Sequence, residues 1–143
     1  MILSENDDKA RAITKVLSSN DTGETGSHQA GAHIPKAYQI LSFFPTLKKD
    51  IKNPRISLYF EDVECIKWHF SFIYYNNRFY GGTRNEYRLT GMTKYFKKYG
   101  LKTGDRLTLR QNEAGEYSIE HIKSSEQPED VLYLGNTWKV VNI

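Results

Sequence analysis

The chain has 143 residues, of which 38% are hydrophobic and 26% charged, a composition ordinary for one water-soluble domain with a single core. No window approaches the ~18 apolar residues of a membrane-spanning helix, and residues 1–10 show no basic-then-apolar secretion signal, so we expect no membrane partner. Cys65 is the only cysteine, which excludes an internal disulfide and favours the cytoplasm.

The net charge of +3 is unevenly distributed along the chain. Residues 28–110 carry 15 Lys and Arg against 6 Asp and Glu, a balance of +9, whereas the remaining residues carry 5 against 11, a balance of −6. A basic middle with acidic ends is typical of a surface that binds a polyanion. The alternative is that the lysines keep an aromatic-rich domain in solution.

We predict one domain over residues 1–143, beginning with a flexible acidic segment of about ten residues. Residues 11–19 alternate apolar and polar side chains and predict a strand with Ala12, Thr14 and Val16 on one face. Residues 20–35, rich in glycine and small polar side chains, predict a loop.

Two short helices are predicted from apolar side chains at helical spacing. Residues 36–44 place Tyr38, Leu41 and Phe44 on one face before Pro45. Residues 91–100 place four apolar side chains on one face and three lysines on the other. These are Met92, Tyr95, Phe96 and Tyr99 on the apolar face, and Lys94, Lys97 and Lys98 on the polar face.

Aromatic and β-branched segments predict the other strands. They are residues 55–63, 66–76 and 87–90, two strands around the Glu-Ala-Gly turn within 101–122, and 136–143. Residues 76–86 are turn-rich and form an excursion from the sheet. Seven short strands and two short helices predict a mostly β fold, a seven-stranded barrel or pseudobarrel. A sandwich with two helices at one end is the alternative.

The glycines of residues 20–35 do not form a nucleotide-binding motif. No lysine follows Gly26, as a phosphate-binding loop requires, and the GxGxxG spacing is absent. His28 and His33 are five residues apart, without a cysteine at metal-ligand spacing. We therefore predict no cofactor and no metal, and the simplest role of the two histidines is hydrogen bonding within the loop.

Nuclease motifs are also absent. The segments "ECIK" and "EHIK" have one residue too many for the ExK half of a metal-dependent nuclease site, and "HIKSSEQP" has Pro128 where an HxKxxxxD motif has aspartate. Cys65 lies in an apolar stretch that predicts a buried, structural thiol. We therefore predict that the chain is not an enzyme by itself.

Residues 76–88 concentrate side chains suited to the edges of bases. Their three arginines can bind guanine through two donors, their asparagines can bind adenine in the same way, and Glu86 can accept from cytosine. Gly81 and Gly82 permit a sharp turn or a close approach of the backbone. Two polar loops on one β scaffold would grip one DNA groove. The alternative is a polar hairpin whose charges pair with each other.

Two long segments carry a family resemblance. "LSSNDTGETGSHQAGAHIPK" and "YYNNRFYGGTRNEYRLT", with "FFP" between them, resemble in that order the N-terminal effector domain of EcoRII-like type IIE restriction endonucleases. The resemblance implies a pseudobarrel like that of plant B-three transcription-factor domains, with two arms that read a short duplex site in the major groove. It also implies a bacterial, cytoplasmic protein whose cleavage chemistry belongs to a separate catalytic domain of the full-length chain.

The same resemblance implies which residues contact DNA. The first arm contributes Asn20, Asp21, Thr22, Glu24, Thr25, Ser27, His28, Gln29 and His33. The second arm contributes Asn77, Arg78, Thr83, Arg84, Asn85, Glu86, Tyr87 and Arg88. From charge, phosphate contacts are expected of Lys15, Lys36, Arg78, Arg88 and the lysine face of the second helix. Base readout is expected of Arg84, Asn85, Glu86, His28 and Gln29.

The target implied by the family is CCWGG-like. Gly82 and Tyr87 stand where the family has lysines, and His33 where it has a tyrosine, so phosphate contacts and base preference are expected to differ. Two other functions remain open from the residues alone. One is a regulatory β-barrel that binds a peptide or a carbohydrate, which would not retard duplex DNA; the other is a compact nuclease, which would cleave duplex DNA in Mg²⁺.

Overall fold

The computed structural model describes residues 10–23, 30–126 and 137–141. Within these ranges eight strands form one sheet. The strands are β1 (Ala12–Val16), β2 (Gly31–Ile34), β3 (Arg55–Glu61), β4 (Lys67–Tyr75), β5 (Glu86–Thr90), β6 (Arg106–Gln111), β7 (Tyr117–Ile122) and β8 (Lys139–Val140). The helices in the same ranges are α1 (Ser19–Thr22), α2 (Tyr38–Leu41) and α3 (Thr93–Tyr99), with 3-10 turns at Asn77–Tyr80 and Ser124–Glu126.

The sheet curls into a pseudobarrel. Its strand order is β2-β5-β4-β3-β7-β6-β1-β8, and the β3–β7 pair is parallel while the other pairs are antiparallel. The indole N–H of Trp138, just before β8, donates to the carbonyl of His33 on β2 at 3.1 Å. The two ends of the strand order therefore meet, and the predicted mostly β pseudobarrel is confirmed, with eight strands rather than seven.

The core is built mainly from aromatic side chains. Phe43, Phe60, Phe70, Phe72 and Tyr95 are fully buried. Phe44 stacks on Phe72 with ring centroids 4.5 Å apart, a spacing typical of favourable aromatic pairs. The high aromatic content of the sequence is thus used inside the barrel, which leaves the polar arms at its surface.

Helix α3 has the predicted two-faced character. Met92, Tyr95 and Phe96 are buried, while the three lysines face outward. Its last turn is held by Asp62, which accepts from the Tyr99 hydroxyl and, at 2.8 Å, from the Trp68 indole N–H. These contacts fix α3 against the β3–β4 turn.

The turn between β3 and β4 corrects the prediction for Cys65. The thiol is exposed, and the residue has a φ of 64°, in the left-handed region. Asp62 Oδ1 accepts from the backbone N–H groups of Glu64 and Ile66, at 2.8 and 3.0 Å. These bonds tighten the chain into a turn, so the apolar neighbours of Cys65 do not belong to one buried strand.

The predicted faces of the first strand were also wrong. Ile13 and Leu17 belong to the core, and the side bearing Thr14 is buried as well. The Thr14 hydroxyl lies 2.9 Å from that of Thr108 and donates to the Leu107 carbonyl at 3.0 Å. Side chains on both faces of β1 are therefore buried.

Three further boundaries differ from the sequence-based prediction. The predicted loop 20–35 contains most of α1 and all of β2, and the predicted helix 36–44 shortens to α2. Tyr38 is 61% exposed rather than part of a buried face. Within the described part of the last predicted strand, residues 137–141, only β8 is a strand. The predicted flexible start falls almost wholly outside the described residues.

Candidate nucleic-acid interface

A cleft of about 970 Å³ lies between two connecting segments of the barrel. We call residues 17–30, between β1 and β2, the first arm, and residues 76–85, between β4 and β5, the second arm. The cleft is lined by Lys15, Ser18, Asn20, Asp21, His33, Tyr75, Arg84, Arg88, Thr90 and Thr93. Both arms therefore contribute side chains to one concave surface.

The floor of the cleft is the outward face of β2, β5 and β4. His33 is paired with Arg88 across β2 and β5, and Glu86 with Tyr75 across β5 and β4. Because side chains alternate along a strand, the intervening Tyr87 points to the core side, where it is buried. The alternation of β5 thus separates the polar cleft from the core.

Helix α1 gives the first arm a fixed start. Ser18 and Asp21 form a capping box: the Ser18 hydroxyl accepts from the Asp21 N–H, and Asp21 Oδ2 accepts from the Ser18 N–H at 2.8 Å. The ammonium of Lys15 lies 2.7 Å from the same Asp21 oxygen. Gly23, in the left-handed conformation, ends the helix. Asn20 remains exposed at the mouth of the cleft.

The far end of the first arm is tied to α3. The Ala30 N–H donates to the Thr93 hydroxyl at 3.1 Å, and the Met92 N–H donates to the Ala30 carbonyl at 3.1 Å. The two ends of this arm are therefore anchored to β1 and to α3. Five predicted contacts of this arm lie outside the described residues: Glu24, Thr25, Ser27, His28 and Gln29.

Backbone hydrogen bonds hold the second arm closed. The Arg78 N–H donates to the Arg84 carbonyl at 2.9 Å, and the Gly82 N–H donates to the Asn77 carbonyl at 2.7 Å. Gly81 has a φ of 91° and ends the 3-10 turn. A side chain on Gly82 would place its Cβ 2.9 Å from Asn77 Cγ. Gly81 thus adopts a left-handed conformation that favours glycine, and Gly82 packs closely against Asn77.

Arg84 is held in a defined orientation by two neighbours. Its guanidinium lies 3.7 Å from the centroid of the Tyr75 ring, and its Nη2 lies 2.6 Å from Glu86 Oε1. Arg88 Nη1 approaches the same oxygen at 3.9 Å. Arginine, unlike lysine, has a planar guanidinium that can stack on an aromatic ring and donate two parallel hydrogen bonds to one partner. Arg84 of the second arm and Arg88 of β5 thus pair with Glu86, as the alternative of a self-paired hairpin predicted, and both arginines line the cleft.

The cleft retains a net positive charge despite the pairing. Partial burial acts to raise the pKa of Glu86, but the hydrogen bond from Arg84 and the charges of Arg88, Arg84 and His33 together hold it below its usual value of 4.5. Glu86 is therefore ionised at neutral pH and balances one of the two arginines beside it. One positive charge remains, which favours an anionic partner.

Several predicted contacts lie in a layer behind the cleft. The Tyr74 hydroxyl donates to Asn85 Oδ1 at 2.6 Å, and the Tyr74 ring stacks on Tyr87 with centroids 4.3 Å apart. The ammonium of Lys36 lies 5.9 Å from the Tyr74 centroid. Asn85, Tyr87 and Lys36 do not line the cleft and instead support the base of the second arm.

The structure thus sorts the predicted contacts by position. Cleft-lining positions are held by Lys15, Asn20, Asp21, His33, Arg84 and Arg88, with Glu86 bound between the two arginines. Arg78 and Thr83 are exposed on the second arm, Asn77 is half-buried there, and Thr22 is half-buried on α1.

Four cleft residues were missed by sequence reasoning: Ser18, Tyr75, Thr90 and Thr93. Tyr75 was findable in principle, because it is the aromatic residue that ends β4 immediately before the second arm. Thr90 was findable too, because it follows Glu86 and Arg88 on the same face of β5. The placement of Ser18 and Thr93 depends on how α1 and α3 pack. Among the described residues no group of three or more His, Cys, Asp or Glu side chains is arranged to hold a metal ion.

No helix in the described ranges has the length and apolar character needed to cross a membrane.

The fold itself recurs in two plant structures. The Arabidopsis FUS3–DNA complex has a TM-score of 0.60 and 23% identity, covering 78% of this chain and 95% of the plant chain. The Arabidopsis LEC2–DNA complex has a TM-score of 0.59 and 22% identity, covering 80% and 96%. At these identities the likeness defines the fold: a B-three-like pseudobarrel.

The sequence comparison defines the family. A family model described as "Restriction endonuclease EcoRII, N-terminal" matches residues 6–122, and the chain belongs to this family. The Escherichia coli type II restriction enzyme EcoRII is 38% identical over 98 residues, which cover 66% of this chain and 24% of that enzyme. The chain therefore matches about a quarter of the length of this relative, and the resemblance noted from its two long segments is confirmed.

Proposed function

We propose that this chain is the sequence-specific, double-stranded DNA-binding domain of a restriction endonuclease. The observation that carries the proposal is that side chains from both arms line one cleft. Asn20 comes from the first arm, Arg84 from the second arm and Arg88 from the adjoining strand β5. Family membership supports the same conclusion, as does the fold shared with two plant proteins whose structures are DNA complexes.

Base readout is assigned to side chains that project into the cleft. Tyr75 and Glu86 orient the Arg84 guanidinium, while Glu86 engages only one of its nitrogens. The remaining donors suit the two acceptors on the major-groove edge of guanine. Asn20 suits adenine, and an oxygen of Glu86 can accept from the cytosine amino group. Asn85, His28 and Gln29 were also predicted to read bases; the Asn85 oxygen is bound to Tyr74.

Phosphate binding is assigned to basic side chains outside the floor of the cleft. Arg78 is exposed on the second arm, Lys36 lies at its base, and the lysines of α3 face outward beside Thr93. Such contacts supply affinity without sequence information. Lys15 has a different role, because its ammonium is buried against Asp21; it positions α1 for the contacts of Asn20.

Cleavage is assigned to a catalytic domain elsewhere in the full-length enzyme, in the bacterial cytoplasm. Binding at the cleft would deliver that domain to its site or release it from inhibition. The motif analysis supports this division, because neither the ExK half of a metal-dependent nuclease site nor an HxKxxxxD motif occurs in the sequence.

A selection experiment tests the proposal. The purified chain is incubated with a pool of random duplexes at about 150 mM salt, and the retained DNA is sequenced after several rounds. We expect one short motif, related to CCWGG, to be enriched. Retention of no motif would contradict sequence-specific binding, and cleavage of the enriched duplex in Mg²⁺ would contradict the assignment of catalysis to another domain.

A further inference from the structure

A lysine-rich loop lies beside the second arm and has no role in the cleft. Residues 48–53 contain Lys48, Lys49 and Lys52, all exposed, and a single acidic residue, Asp50. None of the ion pairs found in the described part of the chain involves any of these three lysines. We call residues 48–53 the lysine loop.

The lysine loop is fastened to the second arm by one buried side chain. Asn76, the first residue of that arm, is 1% exposed. Its Oδ1 accepts from the Asn53 N–H at 2.6 Å, and its Nδ2 donates to the Ile51 carbonyl at 2.8 Å. In return the Asn76 N–H donates to Asn53 Oδ1 at 3.2 Å. These reciprocal bonds make the loop and the arm one rigid unit.

The local backbone shows that this attachment is specific. Asn53 adopts a φ of 49°, a conformation unusual for a residue with a side chain. The Tyr74 N–H donates to the Pro54 carbonyl at 3.0 Å, which continues the attachment toward β4. A loop that only kept the protein in solution would not require a buried, fully bonded asparagine to hold it.

The lysine loop lies on the outer side of the second arm. Lys49 and Lys36 line one pocket of about 500 Å³ whose wall includes Tyr87. Tyr87 belongs to the layer behind the cleft, so the loop continues the basic surface from Lys36 away from the cleft. DNA held between the arms would extend past the second arm toward these lysines.

We propose that the lysine loop is a third DNA-contacting element, which binds phosphates flanking the base pairs that the second arm reads. The inference rests on the proposed function and adds a contact outside the two-armed cleft. Three exposed lysines against one aspartate complement the charge of the duplex backbone. Asn76 holds them in register with Arg84, so base readout and flanking phosphate contact are made by one unit.

A pair of charge-matched variants tests the proposal. Lys49→Gln/Lys52→Gln removes two charges from the lysine loop. Lys67→Gln/Lys102→Gln removes two exposed charges elsewhere: Lys67 starts β4, at the opposite end of that strand from the second arm, and Lys102 follows α3. Affinity for the selected duplex is measured over a range of salt concentrations, after thermal unfolding has shown that both variants are folded.

Each phosphate contact contributes about 0.9 to the slope of log affinity against log salt. We expect the slope of Lys49→Gln/Lys52→Gln to fall by roughly 1 to 2, with the preferred motif unchanged, and the slope of the control to equal that of the wild type. Extending one side of a minimal duplex by about one helical turn should tighten binding of the wild type but not of the loop variant.

Equal slopes for the loop variant, the control and the wild type would overturn the lysine-loop proposal and leave the proposed function standing. The same applies if the loop variant gains as much affinity from the extension as the wild type does. If the wild-type chain binds no duplex specifically, the proposed function fails and the lysine-loop proposal fails with it.

Discussion

The ammonium of Lys15 on β1 lies 2.7 Å from the carboxylate of Asp21 on α1, and the two side chains are 9% and 5% exposed. The ion pair joins the barrel to the first arm at the edge of the cleft. The same carboxylate caps α1. Asp21 therefore positions the arm, whereas its exposed neighbour Asn20 lines the cleft.

Asp21→Ala should lower the free energy of unfolding by about 3 kcal/mol or more, because it leaves the buried Lys15 ammonium unpaired and removes the cap of α1. Asn20→Ala is the matched control within the same turn of helix. It should change stability by less than about 0.5 kcal/mol and weaken binding of the selected duplex by about 1–3 kcal/mol. Urea unfolding and mobility shifts measure the two effects; equal stability of the two variants would refute the assignment.

Arg84→Ala should weaken binding to the selected duplex by about 1–3 kcal/mol and remove the preference at one base pair. The reason is that Tyr75 and Glu86 orient Arg84 into the cleft. Titrations against duplexes substituted at each position measure the effect. Arg78→Ala is the comparison, since we expect it to weaken all duplexes alike; the same uniform loss for Arg84→Ala would make Arg84 a phosphate contact instead.

Gly82→Ala should displace the tip of the second arm, because its Cβ would lie 2.9 Å from Asn77 Cγ and 3.1 Å from the Asn77 carbonyl oxygen. We expect about a tenfold loss of affinity for the selected duplex, or about 1.4 kcal/mol. Gly115→Ala, in the β6–β7 turn, strains a residue with a φ of 84°, although its Cβ would lie no closer than 3.9 Å to another side chain. The Gly115 variant should be less stable but should keep its DNA affinity. An equal loss of affinity in both variants would contradict a specific role of the second arm in DNA binding.

Stability should decrease as the pH falls below 6.5, the ordinary pKa of histidine, because of His121. Burial lowers the pKa of His121, aided by the charge of Lys123 and opposed by nearby carboxylates. The unfolded chain therefore takes up a proton at a pH where the folded chain resists it. The contribution of His121 to stability is therefore complete above pH 6.5. It is lost as the pH falls toward the lower pKa that His121 has in the folded chain.

Unfolding free energies of His121→Gln from about pH 8 to about pH 5 measure this dependence, and the variant should show a flatter decline than the wild type. His69→Gln, on the outer face of β4, controls for the loss of a histidine. If the unfolding free energy of His121→Gln falls with decreasing pH as steeply as that of the wild type, groups other than His121 govern the loss of stability in acid.

Periodicity predicted most of the barrel because local patterns determine it. The aromatic and β-branched content of β3 and β4 is visible along the sequence, as is the helical spacing of Met92, Tyr95 and Phe96, and both reappear in the fold. Local pattern was insufficient at β1, where the buried Thr14 hydroxyl finds its partners more than ninety residues away along the chain. It was also insufficient at Cys65, where backbone bonds to Asp62 form a turn.

The sequence indicated which residues form the candidate site, but not how their side chains pair with one another. The polar content of residues 76–88 and the family resemblance indicated both arms, and Arg84, Arg88 and Asn20 do line one cleft. The pairing of Lys15 with Asp21 could not be read from the sequence, because it depends on α1 folding back over β1. The same holds for Asn76, whose partners are more than twenty residues away.

The specificity ratio for DNA tests the central claim most directly. Affinity is measured for the selected duplex and for a duplex of the same length and composition with a scrambled sequence, at about 150 mM salt. If the two-armed cleft reads base edges, the selected duplex should bind at least about 10³-fold more tightly than the scrambled duplex. Equal affinities would contradict the account, since phosphate contacts alone would then explain all binding.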